Sequence, residues 1–334
     1  MNTKRWIALG IAVVIVFVSW GVSFASALLT ENFKTAFSNI ADQEYFETII
    51  EEGDSFDKIV VLDVEGAIID TGTSSNPFSA TSYNHQLFLK MLTDAMEDES
   101  VKGVVLSVDS PGGGVVESAE IHHKINELKK EYKKPIYVSM GSMAASGGYY
   151  ISAPADKIFA LKETLTGSLG VIMSSYNLVG LQEKVGIKDQ TIKSGPHKDI
   201  MSASREMTEE ERQIMQSMIN NSYDGFVKVI SEGRNMPEDR VRQIADGRIY
   251  DGIQAKELDL IDGFGYLEDV TNTMKKDLGD EELSVVRYGE TASFSSIFVS
   301  KMNQLSGKED EALTQFLQSL SSPSSPRLMY LYAE

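Results

Sequence analysis

The residues best suited to covalent chemistry lie in Met140-Gly-Ser-Met-Ala-Ala-Ser-Gly-Gly-Tyr-Tyr150. Small side chains crowd Ser146 just past an apolar strand and where a helix begins. A serine at such a turn presents its hydroxyl near a helix N-terminus, and Gly147 leaves its backbone N–H free to meet a developing oxyanion. This is the logic of a nucleophile elbow without the Gly-x-Ser-x-Gly pattern. The plainer alternative is helix capping by Ser146 or Ser142. A second glycine-rich segment, Ser107-Val-Asp-Ser-Pro-Gly-Gly-Gly114, also follows a strand and precedes a helix. Its N–H groups can face an anion. It has neither dinucleotide-fingerprint spacing nor a Gly-Lys-Ser/Thr phosphate loop, which disfavours a nucleotide site. A tight strand-to-helix turn is the alternative.

A serine nucleophile needs a base. The chain has four histidines, His85, His122, His123 and His197, and His197 is followed by Lys198. Lysine serves when burial keeps it neutral, and Ser–Lys pairs are a known variant of the serine mechanism. Taken alone, Lys198 is an ordinary surface lysine. Thr164-Leu-Thr-Gly-Ser-Leu-Gly170 forms a small-residue turn whose Ser168 can hold an amine by a hydrogen bond.

Composition narrows the classes. The 334 residues carry a net charge of −18 and no cysteine. Nucleic acid and a polybasic membrane patch are disfavoured; disulfide scaffolds, thiolate metal sites and a Cys nucleophile are excluded. Residues 6–29 are uncharged, preceded by Lys4 and Arg5 and followed by Glu31. Such a run can cross a bilayer. The positive-inside rule places the rest of the chain outside the cytoplasm, as a single-pass protein of the cell membrane. Ala25-Ser26-Ala27 leaves a cleavable signal peptide as the alternative.

The elements that must position these groups alternate. Helices are expected over 84–98, 116–132, 144–152 and 177–185, with strands over 58–68, 101–108, 135–140, 157–160, 170–173 and 187–193. This is an α/β fold with a largely parallel sheet. Thr208 and Glu211 form a capping-box pattern opening a helix to Gly233, followed by helices near 252–259 and 266–278 and a strand over 283–288. The expected organisation is a cytoplasmic tip and anchor over 1–29, an acidic stalk over 30–57 with helical spacing at Phe33, Phe37 and Ile40, a catalytic domain over 58–290, and a weakly structured tail over 291–334. That tail ends in Arg327-Leu-Met-Tyr-Leu-Tyr-Ala-Glu334, too apolar for a solvated terminus. It is expected to dock on the protein's own core or a neighbouring subunit, or to enter the substrate groove.

The segments SVDSPGGG, MGSMAASGGYYISAPADKI, ETLTGSLGVI, KSGPHKDIMSASREMTEEE and ADGRIYDGIQAKELDLIDGFG resemble, in order, those of the signal peptide peptidase A (protease IV) family of membrane-bound serine peptidases, in its short bacterial form. The resemblance implies a Ser–Lys dyad with Ser146 as nucleophile, Lys198 as general base and Ser168 positioning the lysine, with Gly113 and Gly147 supplying the oxyanion hole. It implies a β-spiral with helices, similar to Clp protease and crotonase, behind one N-terminal transmembrane helix. It also implies ring-shaped homo-oligomers whose active sites form at subunit interfaces, no cofactor or metal, and hydrophobic peptide substrates such as remnant signal peptides. One departure is Asp109, where the family commonly has Asn; it places a negative charge near the glycine loop. A crotonase-like acyl-transfer enzyme and a non-catalytic membrane scaffold are the competing functions.

Overall fold

The apolar run of residues 59–62 leaves no polar face, and a strand of that kind must be covered on both sides. In the computed structural model, which describes residues 45–70, 83–290 and 328–332, this segment is β2 (Lys58–Glu65), at the heart of the sheet. Parallel neighbours are β10 (Ser284–Glu290) on one side and β3 (Val101–Ser110) on the other. β5 (Ile136–Ala145), β6 (Lys157–Ala160) and β9 (Gly263–Phe264) continue the parallel series. β1 (Tyr45–Glu51) forms the edge beyond β10. It lies within the stretch expected to be a stalk, so part of that acidic segment belongs to the sheet. Residues 6–29, the helical spacing at 33–40 and the tail over 291–327 lie outside the described residues. Among the described residues, no helix is long and apolar enough to cross a membrane.

The chain divides into two compact units, residues 1–46 with 290–293, and residues 47–289 with 294–334. Every element here belongs to the second, apart from the ends of β1 and β10. Helix α1 (His85–Glu97) starts where Asn84 accepts a hydrogen bond from the Leu87 N–H. Helix α2 (Val115–Tyr132) buries Ser118, Ile121, Ile125 and Leu128 at spacings of three and four, one face of a helix. Helix α8 (Leu267–Leu278) packs Val270 and Met274 against Ile59, Val61, Val105 and Tyr137. A side chain at Gly103 would place its Cβ 2.5 Å from the Met274 sulfur, so glycine there permits this close approach.

β5 is longer than the sequence pattern indicates, and that extra length builds the site. Its first half pairs with β6; its second half, Met143–Ala145, pairs in parallel with β7 (Leu165–Gly167). β7 in turn pairs with β8 (Ile249–Tyr250), antiparallel. The expected turn over 164–170 is therefore partly strand. Conversely, the strands expected over 170–173 and 187–193 do not form: Ile172 makes one isolated bridge, and residues 187–193 have no regular structure. Their apolar side chains stay exposed, Ile192 at 99%, so burial within one chain gives them no reason to order as strands. Helix α4 (Val179–Val185) likewise buries nothing. The capping box at Thr208 is present on both sides and opens α5 (Glu209–Gly233) as the pattern indicates.

Candidate active site

Ser146 occupies the turn between β5 and α3 (Gly147–Ser152). Its φ of 51° and ψ of −112° lie outside the regions open to an ordinary L-residue. Such strain persists only where surroundings impose it. Here they do: the Ser146 N–H donates to the Gly167 carbonyl at 2.8 Å, and the Ser146 carbonyl accepts from Tyr150 at 2.9 Å. The side chain is not used as a cap. Its hydroxyl is buried and has no hydrogen-bond partner among the described residues. A buried hydroxyl without a partner costs free energy, so the fold holds this group for something other than packing.

Gly112–Gly114 forms a three-residue strand, β4, pressed against the start of α3. A Cβ at Gly147 would stand 3.0 Å from the Gly113 nitrogen and 2.8 Å from Ser118 Oγ, a second buried hydroxyl without a partner. A Cβ at Gly112, where φ is +97°, would stand 2.5 Å from the Gly147 nitrogen. The two expected oxyanion donors therefore converge, and only glycine allows it. Asp109 is exposed and accepts from the Met143 N–H at 3.0 Å. The negative charge is thus engaged by backbone.

The end of the tail lies on this strand. β11 (Met329–Leu331) pairs antiparallel with β4, Tyr330 opposite Gly113. Flanking bonds run from Val115 N to Leu328 O (3.4 Å) and from Tyr332 N to Pro111 O (2.9 Å). Alternation along an antiparallel ladder makes Gly113 and Tyr330 a hydrogen-bonded pair, with the Gly113 N–H directed at the Tyr330 carbonyl. That oxygen would lie 2.1 Å from a Gly112 Cβ, the point also approached by the Gly147 N–H. On its far edge Met329 exchanges two 3.0 Å backbone bonds with Ile172. The Tyr330 side chain is 2% exposed; it stacks on Tyr150 at 4.8 Å, meets Phe226 at 4.7 Å, and donates to the Ser222 carbonyl at 3.0 Å. An extended peptide thus lies between two backbone edges, one residue seated in an aromatic pocket. Nothing in the residue pattern signals that Tyr150, Phe226 and Ser222 line it, because they come from α3 and α5, far apart in the chain.

Ser168 follows β7 with φ of 50°, and its N–H donates to Arg248 O at 2.7 Å. The Ser146 N–H bond to Gly167 puts Ser168 one residue from the nucleophile's backbone. Lys198 is elsewhere. It lies on an exposed turn of residues 195–200 and makes no hydrogen bond to Ser146 within one chain. None of the histidines takes its place. His85 is buried between Glu120 (2.7 Å) and the Tyr83 hydroxyl (3.0 Å). His122 packs edge-on to Tyr150, and burial lowers its pKa. His197 Nδ1 lies 3.5 Å from Glu211, beside the Lys198 turn. The structure brings Ser146, Gly113, Gly147 and Ser168 together and leaves Lys198 apart. What sequence analysis missed is the ion cluster of Asp199, Arg205 and Glu211 that mounts that turn; only the capping box at Glu211 hinted at it.

A family model described as Peptidase family S49 matches residues 128–280. The chain is 43% identical over 347 residues to an Enterococcus faecium protein described as a candidate signal peptide peptidase SppA, covering 99% of each. It is 43% identical over 202 residues to a candidate protease of Methanocaldococcus jannaschii, covering 60% of this chain and 64% of the relative. It is also 32% identical over 213 residues to a chloroplastic serine protease SPPA of Arabidopsis thaliana, covering 63% and 31%. With a near-full-length relative at this identity, and with a strained serine in a turn packed against a glycine strand, the chain belongs to the signal peptide peptidase A family, peptidase family S49, and is a serine endopeptidase.

Proposed function

We propose that the enzyme cuts short hydrophobic peptides, remnant signal peptides among them, outside the cytoplasm while tethered to the membrane through residues 6–29. Ser146 is the nucleophile, Lys198 of a neighbouring copy is the general base, Ser168 positions that lysine, and Gly113 and Gly147 form the oxyanion hole. The observation that carries this reading is the tail itself: an extended apolar segment lies antiparallel on Gly112–Gly114, with Tyr330 paired to Gly113 next to the turn that holds Ser146. β-addition of this kind is how extended peptides are commonly gripped. The apolar substrate class follows from the aromatic pocket and the apolar tail it accepts; the near-full-length relative's name points the same way.

The chemistry then runs in two halves. Lys198, as the neutral amine, takes the Ser146 proton while the oxygen attacks the scissile carbonyl, and the glycine N–H groups receive the oxyanion. The carbon–nitrogen bond breaks as the ammonium returns the proton to the leaving amine. Water, deprotonated by the same lysine, hydrolyses the acyl-enzyme. The separation of Lys198 from Ser146 supports a homo-oligomer with shared sites, as do the exposed Tyr176, Leu181, Val185 and Ile192 around the lysine turn. Such apolar patches mark contact surfaces. The ring form and the β-spiral are part of the same proposal; the branching of β5, which leaves β6 to join β7, supports the spiral.

Mixed assembly tests it. Ser146→Ala and Lys198→Ala should each be inactive towards an apolar fluorogenic peptide, and so should Lys198→Arg, whose guanidinium stays charged. Co-expressed Ser146→Ala and Lys198→Ala subunits should regain part of the activity, because some interfaces pair an intact serine with an intact lysine. Active Lys198→Ala protein would overturn the base assignment; inactive mixtures of properly assembled subunits would overturn the shared site.

A further inference from the structure

The turn that presents Lys198 is held by charge rather than by a core. From residue 173 to residue 207 no side chain is buried, and helix α4 packs nothing away. At the base of the turn Arg205 bridges two carboxylates with two edges of its guanidinium. Nε and Nη2 donate to Asp199 at 2.9 and 2.6 Å; Nη1 and Nη2 donate to Glu211 at 2.8 and 2.5 Å. A fifth donation reaches the Glu206 carbonyl at 3.0 Å. Lys193 adds a bond to Asp199 at 2.7 Å and one to the Pro196 carbonyl at 3.2 Å. Glu211 is itself buried and is fixed by the Thr208 N–H at 3.0 Å, as half of the box that opens α5. The turn is therefore bolted, through one arginine, to the first turn of a 25-residue helix.

Asp199 directly follows Lys198 in the chain, and Glu211 lies 3.5 Å from the neighbouring His197. A free carboxylate near an amine favours the ammonium form, which cannot accept a proton. Arg205 occupies both oxygens of each carboxylate, and bidentate pairing of this kind is beyond a lysine. The other charged groups facing the turn are Lys193, His197, Glu206 and Glu210. Of these, Lys193 also neutralises Asp199, Glu210 lies 3.7 Å from His197, and the Glu206 carboxylate accepts from Asn177 at 2.8 Å. Among the described residues, Arg205 alone joins Asp199 to Glu211.

We propose that Arg205 is a positioning residue for the general base: it fixes the turn carrying Lys198 and masks the two carboxylates that would otherwise hold that amine protonated. The proposal rests on the reading of Lys198 as the base. Full-length, assembled enzyme is compared as wild type, Arg205→Lys, Asp199→Asn and Lys198→Ala, with an apolar fluorogenic peptide across pH. Arg205→Lys retains the charge but cannot bridge both carboxylates. It should lower kcat by about tenfold, leave KM within about twofold, and move the rising limb of the kcat–pH profile up by about one unit. Asp199→Asn, which keeps the Arg205–Glu211 pair, should move the same limb the opposite way. A merely structural arginine would change the amount of assembled enzyme and leave the limb where it is. Unmoved limbs in both variants, with Lys198→Ala inactive, would overturn the positioning role alone. Should Arg205→Lys fail to assemble, an unmoved limb in Asp199→Asn is sufficient to overturn it. An active Lys198→Ala would instead overturn the underlying base assignment.

Discussion

Tyr330→Ala should convert a self-occupied groove into an open one. The side chain is 2% exposed, stacked against Tyr150 and Phe226, with its hydroxyl bonded to Ser222. Removing a buried aromatic of this size costs about 3 kcal/mol. At 1.4 kcal/mol per tenfold, that weakens docking of the tail by about a hundredfold. The backbone bonds to Pro111, Ile172 and Val115 would remain, but a tether supplies only a roughly millimolar effective concentration, so they cannot restore occupancy alone. On the proposed reading, the tail and a peptide substrate compete for the edge of Gly112–Gly114 that the tail occupies. The apparent KM for a short peptide should therefore fall by about tenfold or more, with kcat unchanged, because the tail takes no part in chemistry. The assay is steady-state hydrolysis by the assembled enzyme, with amide hydrogen exchange at residues 112–114 as a second readout. Equal KM values and equal exchange protection in wild type and variant would refute the reasoning. Intact mass gives a further check: loss of C-terminal residues in the wild type that Ser146→Ala retains would show that the tail is also cut.

Gly147→Ala should abolish activity while leaving much of the fold, since its new methyl would meet Gly113 N and Gly112 Cα at 3.0 Å and Ser118 Oγ at 2.8 Å and push the two donors apart; a variant retaining wild-type kcat would remove Gly147 and Gly113 from the oxyanion site. Acid should loosen the Lys198 mount. Arg205 pulls the Glu211 carboxyl down to about 2, below its ordinary value of 4.5. A depressed carboxylate contributes stability that is complete above the ordinary value and is lost as pH falls through the folded one. The melting temperature should thus decline between about pH 4.5 and pH 2, and Glu211→Gln should flatten that decline; the same slope in the variant would show that other groups carry it.

Much of this site was legible in residue types. Small residues around Ser146 and three consecutive glycines after Pro111 have few structural uses besides a strained turn and a close backbone approach, and both are found. The helix from Glu209 to Gly233 followed from its capping box because local hydrogen bonds decide where a helix starts. The failures share a cause. Residues 170–173 and 187–193 have the composition of strands, but Ile172, Ile187 and Ile192 remain exposed in a single chain. Strand preference is expressed only where a neighbour offers an edge to pair with and a surface to pack on. Met329–Leu331 shows the converse, a short segment that becomes a strand because β4 offers a free edge. The Arg205 bridge was invisible because spacing does not reveal which of several acids a guanidinium will choose.

The grip on the tail carries a consequence for what the enzyme can refuse. Peptide N–H groups at Met329 and Tyr332 donate to Ile172 and Pro111, and the intervening Tyr330 is in hydrogen-bonded register with Gly113. These bonds are made by main chain, so most side chains pass unexamined. An imino acid cannot donate, and its ring excludes the neighbouring strand. A peptide carrying proline at any of those three alternating or flanking places would lose a rung of the ladder. Discrimination would then come from punctuation more than from vocabulary: the enzyme would consume diverse apolar leader fragments and halt where a proline interrupts them.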